Sequence, residues 1–174
     1  FGPSSVAATD LDGDGDQDLV SANAGGNNLK VFLQLSPGSF AASPLVVGGP
    51  ARMISPGSVS AADVDGDGDQ DLVSANANGD DLTVFLQASP GSFAAAPQVI
   101  GGPLVTSRPV SVGAADLDGD GRPDFVALIS QQFEHVVAFI NRGPGKGFRA
   151  ETVFRAVVPV FAATLACRSP IGSP

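Results

Sequence analysis

The feature that most constrains this chain is an aspartate-rich loop that returns every 53 residues. It reads DLDGDGDQDLV from Asp10 to Val20, DVDGDGDQDLV from Asp63 to Val73 and DLDGDGRPDFV from Asp116 to Val126. A fixed period in this range is the mark of a repeat architecture, in which one supersecondary unit recurs and neighbours bury each other's apolar faces. Repeats one and two are largely identical at this offset. The third diverges after its loop.

Each loop has the form D-x-D-G-D-G-x-x-D, with carboxylates at positions 1, 3, 5 and 9. Four short carboxylates gathered into one turn repel one another unless a cation lies between them. Hard oxygen donors at alternate positions suit calcium, which accepts 6–8 oxygens in flexible geometry. The glycine pairs Gly13/Gly15, Gly66/Gly68 and Gly119/Gly121 allow the positive φ that wraps a short loop around an ion. The expected ligands are the side chains of Asp10, Asp12, Asp14 and Asp18 with the carbonyl of Asp16. In the second loop they are Asp63, Asp65, Asp67 and Asp71 with the carbonyl of Asp69. In the third they are Asp116, Asp118, Asp120 and Asp124. Position 7 there is Arg122, which a ligand supplied by the backbone alone tolerates. An EF-hand is excluded: it requires Glu at position 12, where this chain has Ser21, Ser74 and Ala127, and flanking helices, where LVSAN or FVALIS reads as a strand. Metal-free Asp-Gly turns would explain one copy. Three copies in register, each keeping all four carboxylates, favour three calcium sites.

The loop, the strand after it and the later VFLQ…PGSF segment resemble the FG-GAP or VCBS-type repeat, known from integrin α-subunit propellers and many bacterial secreted proteins. The likeness covers about residues 1–157. It implies an all-β fold of four-stranded, β-propeller-type blades, with calcium held between the first two strands of each. The expected units are 1–53, 54–106 and 107–157, followed by a strand and tail over 158–174.

Composition agrees with a many-stranded β protein. The 174 residues are 43% hydrophobic, with 22 Gly and 14 Pro punctuating Val-, Ala- and Phe-rich runs. Fourteen of the 18 acidic residues lie in the loops, so the net charge of −9 is metal-site chemistry, and three calcium ions would bring it to −3. No basic stripe suggests a nucleic-acid partner, and no apolar run reaches the roughly 18 residues of a membrane span. The lone Cys167 precludes an internal disulfide and reads as an idle thiol or as one that pairs between molecules. A chain opening at Phe1 without Met reads as a processed form or a piece of a longer protein. Calcium loops at this density suit millimolar extracellular calcium, hence a secreted or cell-surface location.

Within a unit the expected strands are Ser4–Thr9, Asp18–Asn23, Leu29–Gln34 and a last one from Phe40 through Pro44–Val47, where an edge tolerates proline. The third unit has Val110–Ala115, Asp124–Ser130, His135–Asn141 and Glu151–Val157. In the tail, Phe161–Thr164 (FAAT) echoes Val6–Thr9 (VAAT), and RSPIGSP reads as disordered. The string GPGK is no phosphate loop, because Ile140 and Gly147 stand where one needs Gly and Ser or Thr.

Propellers close with four to eight blades, so three units leave apolar faces and strand edges open. Three completions are open to such a chain: a ring closed by several copies, a longer propeller of which it is part, or units stacked into an open array or fibre. A non-catalytic scaffold for adhesion or self-assembly accounts best for three metal loops with no catalytic constellation. The alternatives are a calcium-dependent lectin propeller, weakened by the lack of Trp and Tyr, and an accessory segment of a larger secreted enzyme. One His, one Cys and no G-x-S-x-G string leave little for nucleophilic catalysis. His135 reads as a packing residue, and Asp80, Asp81 and Glu134 as solvated acids. Self-association is the first partner expected, then an extracellular protein or glycan. No RGD and no N-x-S/T sequon occurs.

Overall fold

The computed structural model describes residues 2–130 and 135–155, and among these the fold is all-β. Glu134, Cys167 and the expected tail strand at Val158–Ala166 lie outside the described residues. Among the described residues no helix is long and apolar enough to cross a membrane, and three four-stranded antiparallel sheets form, one per repeat. Unit 1 contains β1 (Ser5–Thr9), β2 (Asp18–Asn23) and β3 (Asn28–Phe32), then β4 (Gln34–Ser36), β5 (Ser39–Phe40) and β6 (Leu45–Val47). Its sheet runs β1-β2-β3-β6, while β4 and β5 make a separate small hairpin. Unit 2 repeats this with β7 (Pro56–Ala62), β8 (Asp71–Asn76), β9 (Asp81–Phe85), the hairpin β10 (Gln87–Ser89) and β11 (Ser92–Phe93), and β12 (Gln98–Gly101). Unit 3 has β13 (Pro109–Ala115), β14 (Asp124–Ile129), β15 (His135–Asn141) and β16 (Phe148–Arg155). The metal-type loops join the first and second strand of each unit.

The third strand of units 1 and 2 is shorter than the sequence suggests. The expected Leu29–Gln34 strand stops at Phe32, because the amide of Gln34 turns aside to donate to Asp18 Oδ1 at 2.7 Å. Gln87 does the same toward Asp71 at 2.7 Å. The chain then folds into its hairpin, and the single last strand expected from Phe40 to Val47 becomes two pieces, β5 and β6. In unit 3 the bonded amide belongs to Asn141, the end of a continuous β15.

Two cores hold the sheets together face to face. Val59, Leu72 and Phe85 of unit 2 pack on Leu11, Val20, Leu29 and Val31 of unit 1, with Met53 from the connecting link. Val112, Phe125 and Phe139 of unit 3 pack on Val64, Val73, Leu82 and Val84 of unit 2. Phe148 stacks on Phe125 with ring centroids 5.0 Å apart. Alternation of the strands sends one set of side chains forward and the other back, so unit 2 is apolar on both faces.

Polar bonds fix the offset between units. The Ser5 hydroxyl oxygen accepts the Val59 amide, and that of Ser58 accepts the Val112 amide. Asn27 Oδ1 accepts the amide of Ser55 at 2.8 Å, and its counterpart Asp80 accepts that of Arg108 at 2.7 Å. All four residues have φ between 51° and 58°, in the left-handed region that Asn and Asp tolerate best. Asp81 is half-buried and accepts the Asn76 side-chain amide. Asp80, read from sequence as solvated, is therefore a clamp between units, and Asp81 a bonded member of its own hairpin. In the link, Gly48 has φ +80°, and a Cβ there would run into the Met53 sulfur.

Phe85 is fully enclosed between units 1 and 2. Phe85→Ala is expected to cost about 3–5 kcal/mol, read as a shift in the denaturant midpoint.

Candidate metal centres

The loops owe their shape to the first aspartate. Both Asp10 carboxylate oxygens accept loop amides, from Gly13 at 2.7 Å and Gly15 at 2.9 Å. Asp63 and Asp116 repeat the pattern. Gly13 and Gly15 have φ of 79° and 92°, which turn the intervening amides inward.

The ninth aspartate is the deepest part of each loop. Asp18, Asp71 and Asp124 are buried, and each carboxylate spans two elements. One oxygen accepts the amide of loop position 2, from Leu11, Val64 or Leu117 at 2.8 Å. The other accepts an amide at or just past the end of the third strand, at 2.7 Å from Gln34, Gln87 or Asn141. Burial pushes Asp71 up to about 6, against the downward pull of those two amides. Asp12 and Asp65 are also raised, first by burial and then by neighbouring aspartates. The amides of Gly121 and Gly119 lead in holding Asp116 below its ordinary value.

The fold brings together positions 1, 3 and 9. Asp10, Asp12 and Asp18 each offer an oxygen within 4.8 Å of the others, as do Asp63, Asp65 and Asp71, and Asp116, Asp118 and Asp124. Position 5 stands outside these triads: Asp14, Asp67 and Asp120 accept the amide of position 7, from Asp16, Asp69 and Arg122. Arg122 differs from its counterparts. Its guanidinium pairs with Asp120 and its Nε donates to the Asn141 carbonyl at 3.2 Å. The third loop is also the most open, with Asp116 and Asp118 exposed where the corresponding residues of loops 1 and 2 are half-buried.

Three carboxylates converging on one point fit a hard cation, and the donor set is wholly oxygen. Each triad can hold a metal ion.

Fold and loops together define an all-β repeat protein whose Asp-rich turns lie between the first two strands of each sheet. The chain belongs to the FG-GAP-like repeat family, whose model matches residues 10–74 and again 63–127. Each match runs from one loop into the strand that follows the next, so the repeat counted by the family spans a unit boundary. No curated protein matches the chain.

Sequence reasoning named the ninth aspartate only as a ligand and missed its double backbone contact. Its place at the head of the apolar second strand was the available signal. Asp71→Asn would set a side-chain donor against one of two buried amides, so it is expected to lower stability by about 1–3 kcal/mol in chelator as well as in calcium. Asp67→Asn should change only the calcium response, and calorimetry under both conditions separates the two.

Proposed function

We propose that this chain is a non-catalytic, extracellular, calcium-binding repeat scaffold for adhesion or self-assembly, built from propeller-type blades. The observation that carries the reading is the placement of each triad. It ties the first strand to the second, and its buried member ties both to the end of the third.

The ligands assigned in loop 1 are Asp10, Asp12, Asp14 and Asp18 with the Asp16 carbonyl. Loop 2 uses Asp63, Asp65, Asp67, Asp71 and the Asp69 carbonyl. Loop 3 uses Asp116, Asp118, Asp120, Asp124 and the Arg122 carbonyl. The bound ion supplies positive charge to a loop that otherwise repels itself, and so cross-links strand to strand. The remaining work belongs to the chain: Gly13 and Gly15 amides orient Asp10, while Leu11 and Gln34 amides orient Asp18. Membership in a family of generally non-catalytic repeats agrees with this. A location in millimolar calcium follows from the weak affinity that such open loops provide.

At a dissociation constant of about 0.1–1 mM, calcium at about 1 mM contributes about 0.4–1.4 kcal/mol per site, or roughly 1–4 kcal/mol over three. The melting temperature is expected to rise by roughly 2–16 °C from chelator to 1 mM calcium, as read by scanning calorimetry. Replacing Asp12, Asp65 and Asp118 together by Ala should abolish the rise. An identical melting temperature with and without calcium in the unaltered chain would overturn the reading.

A further inference from the structure

The two contacts between units use the same pair of faces. Each unit presents a leading face to the unit before it, with Val59, Leu72 and Phe85 in unit 2 and Val112, Phe125 and Phe139 in unit 3. Each receives its successor on a trailing face, with Leu11, Val20 and Val31 in unit 1 and Val64, Val73 and Val84 in unit 2. Among the described residues, two faces have no neighbour: the leading face of unit 1 and the trailing face of unit 3. Equivalent positions measure the difference. Leu11 and Val64 are 1% and 7% exposed, whereas Leu117 is 47% exposed. Val59 and Val112 are 5% and 6% exposed, whereas Val6 is 66% exposed. On unit 3, Leu117, Val126, Val136, Ala138 and Ile140 line an open cleft of about 560 Å³.

Resting on the scaffold reading, we infer that the trailing face of unit 3 binds the leading face of unit 1 in a second copy of this chain, head to tail. The row of units then continues from one chain into the next. The occupant is a second copy because the chain carries both halves of a contact that it already makes twice within itself.

The polar bonds extend in the same direction. Ser5 and Ser58 receive the amides of Val59 and Val112, and Ser111 is the next in that series, exposed and placed to receive the amide of an incoming Val6. In unit 1 the Gly38 amide donates to Gln34 Oε1 at 3.1 Å. In unit 2 the equivalent Gly91 amide donates instead to the Leu11 carbonyl of unit 1, and the buried Gln87 Oε1 is left without a donor. Docking between units therefore exchanges a local bond for one across the interface. Gly38 stands ready for that exchange with the carbonyl of Leu117, the third-unit counterpart of Leu11.

One residue opposes the contact. Lys30 occupies the leading-face position that buried Thr83 and Val137 fill in units 2 and 3. A lysine there must snorkel to keep its ammonium wet, and inward charges of this kind restrain association. The contact between copies is therefore weaker than the internal ones and depends on concentration. Two chains supply six units, within the range at which a propeller ring closes. A head-to-tail contact that does not close gives a filament of the same polarity.

Sedimentation of the full chain in millimolar calcium over a range of concentration tests this, using Val6→Glu, Leu128→Glu, their equimolar mixture and Lys30→Thr. Leu128 shares the trailing face with Val126, two residues before it in β14, and pairs with Val136. Both glutamates replace side chains that are exposed in a single chain, so the fold is expected to persist. The unaltered chain is expected to move from one-chain mass to multiples of it as concentration rises. Each glutamate variant should stay at one-chain mass, and their mixture should form a two-chain species because each retains the face the other has lost. Lys30→Thr should tighten association by at least about tenfold. The inference is overturned if the unaltered chain stays single at every concentration, if both glutamate variants still associate, if their mixture stays single, or if Lys30→Thr leaves association unchanged. Melting of the same samples with calcium and with chelator separates the two readings. A single chain that melts higher in calcium overturns the docking alone, whereas melting indifferent to calcium overturns the scaffold reading.

Discussion

A buried carboxylate at loop position 9 is the interaction on which the rest of this structure depends. A charged oxygen pair without water is costly unless hydrogen bonds take over the role of solvent. Asp18, Asp71 and Asp124 each obtain two backbone amides, one from the loop and one from the end of the third strand. One side chain thus closes the loop, stops a strand and stitches three segments together. Its position also fixes where the remaining carboxylates converge. Because the same residue does structural and electrostatic work, the geometry of the site cannot be separated from that of the sheet.

Much of the fold was legible because it follows from local patterns. Spacing of the loops gave the period, and the apolar run at each ninth aspartate placed the start of β2, β8 and β14 at Asp18, Asp71 and Asp124, with β14 ending at Ile129, one residue short of the expected Ser130. Family membership was legible from the same residues. The small hairpins were not. They exist because Gln34 and Gln87 give their amides to an aspartate 16 residues earlier, and a backbone amide carries no sequence signal of where it points. The clamps made by Asn27 and Asp80 were hidden for the same reason, since Asn and Asp in a turn read equally as solvated residues.

The third loop illustrates the limit of motif reading. By pattern it matches the others, with all four carboxylates in place. In the fold, Arg122 engages Asp120 and reaches the end of β15, while Asn141 donates its side-chain amide to the Val64 carbonyl of unit 2. Unit 3 is thus bound to its neighbour partly through the surroundings of its own Asp-rich loop. Substitution of position 7 by a cation changes the charge of the loop and its contacts together.

The two apolar cores share no sheet except that of unit 2, which lies between them. In an array where each member touches only its neighbours, stability is nearly a sum of nearest-neighbour terms. Units 1 and 3 can each open while the other core stays intact, but unit 2 cannot open without releasing both. Fluctuations should therefore enter from the two ends and die out toward the middle, making β8 and β9 the slowest part of the chain to exchange amide hydrogen with solvent.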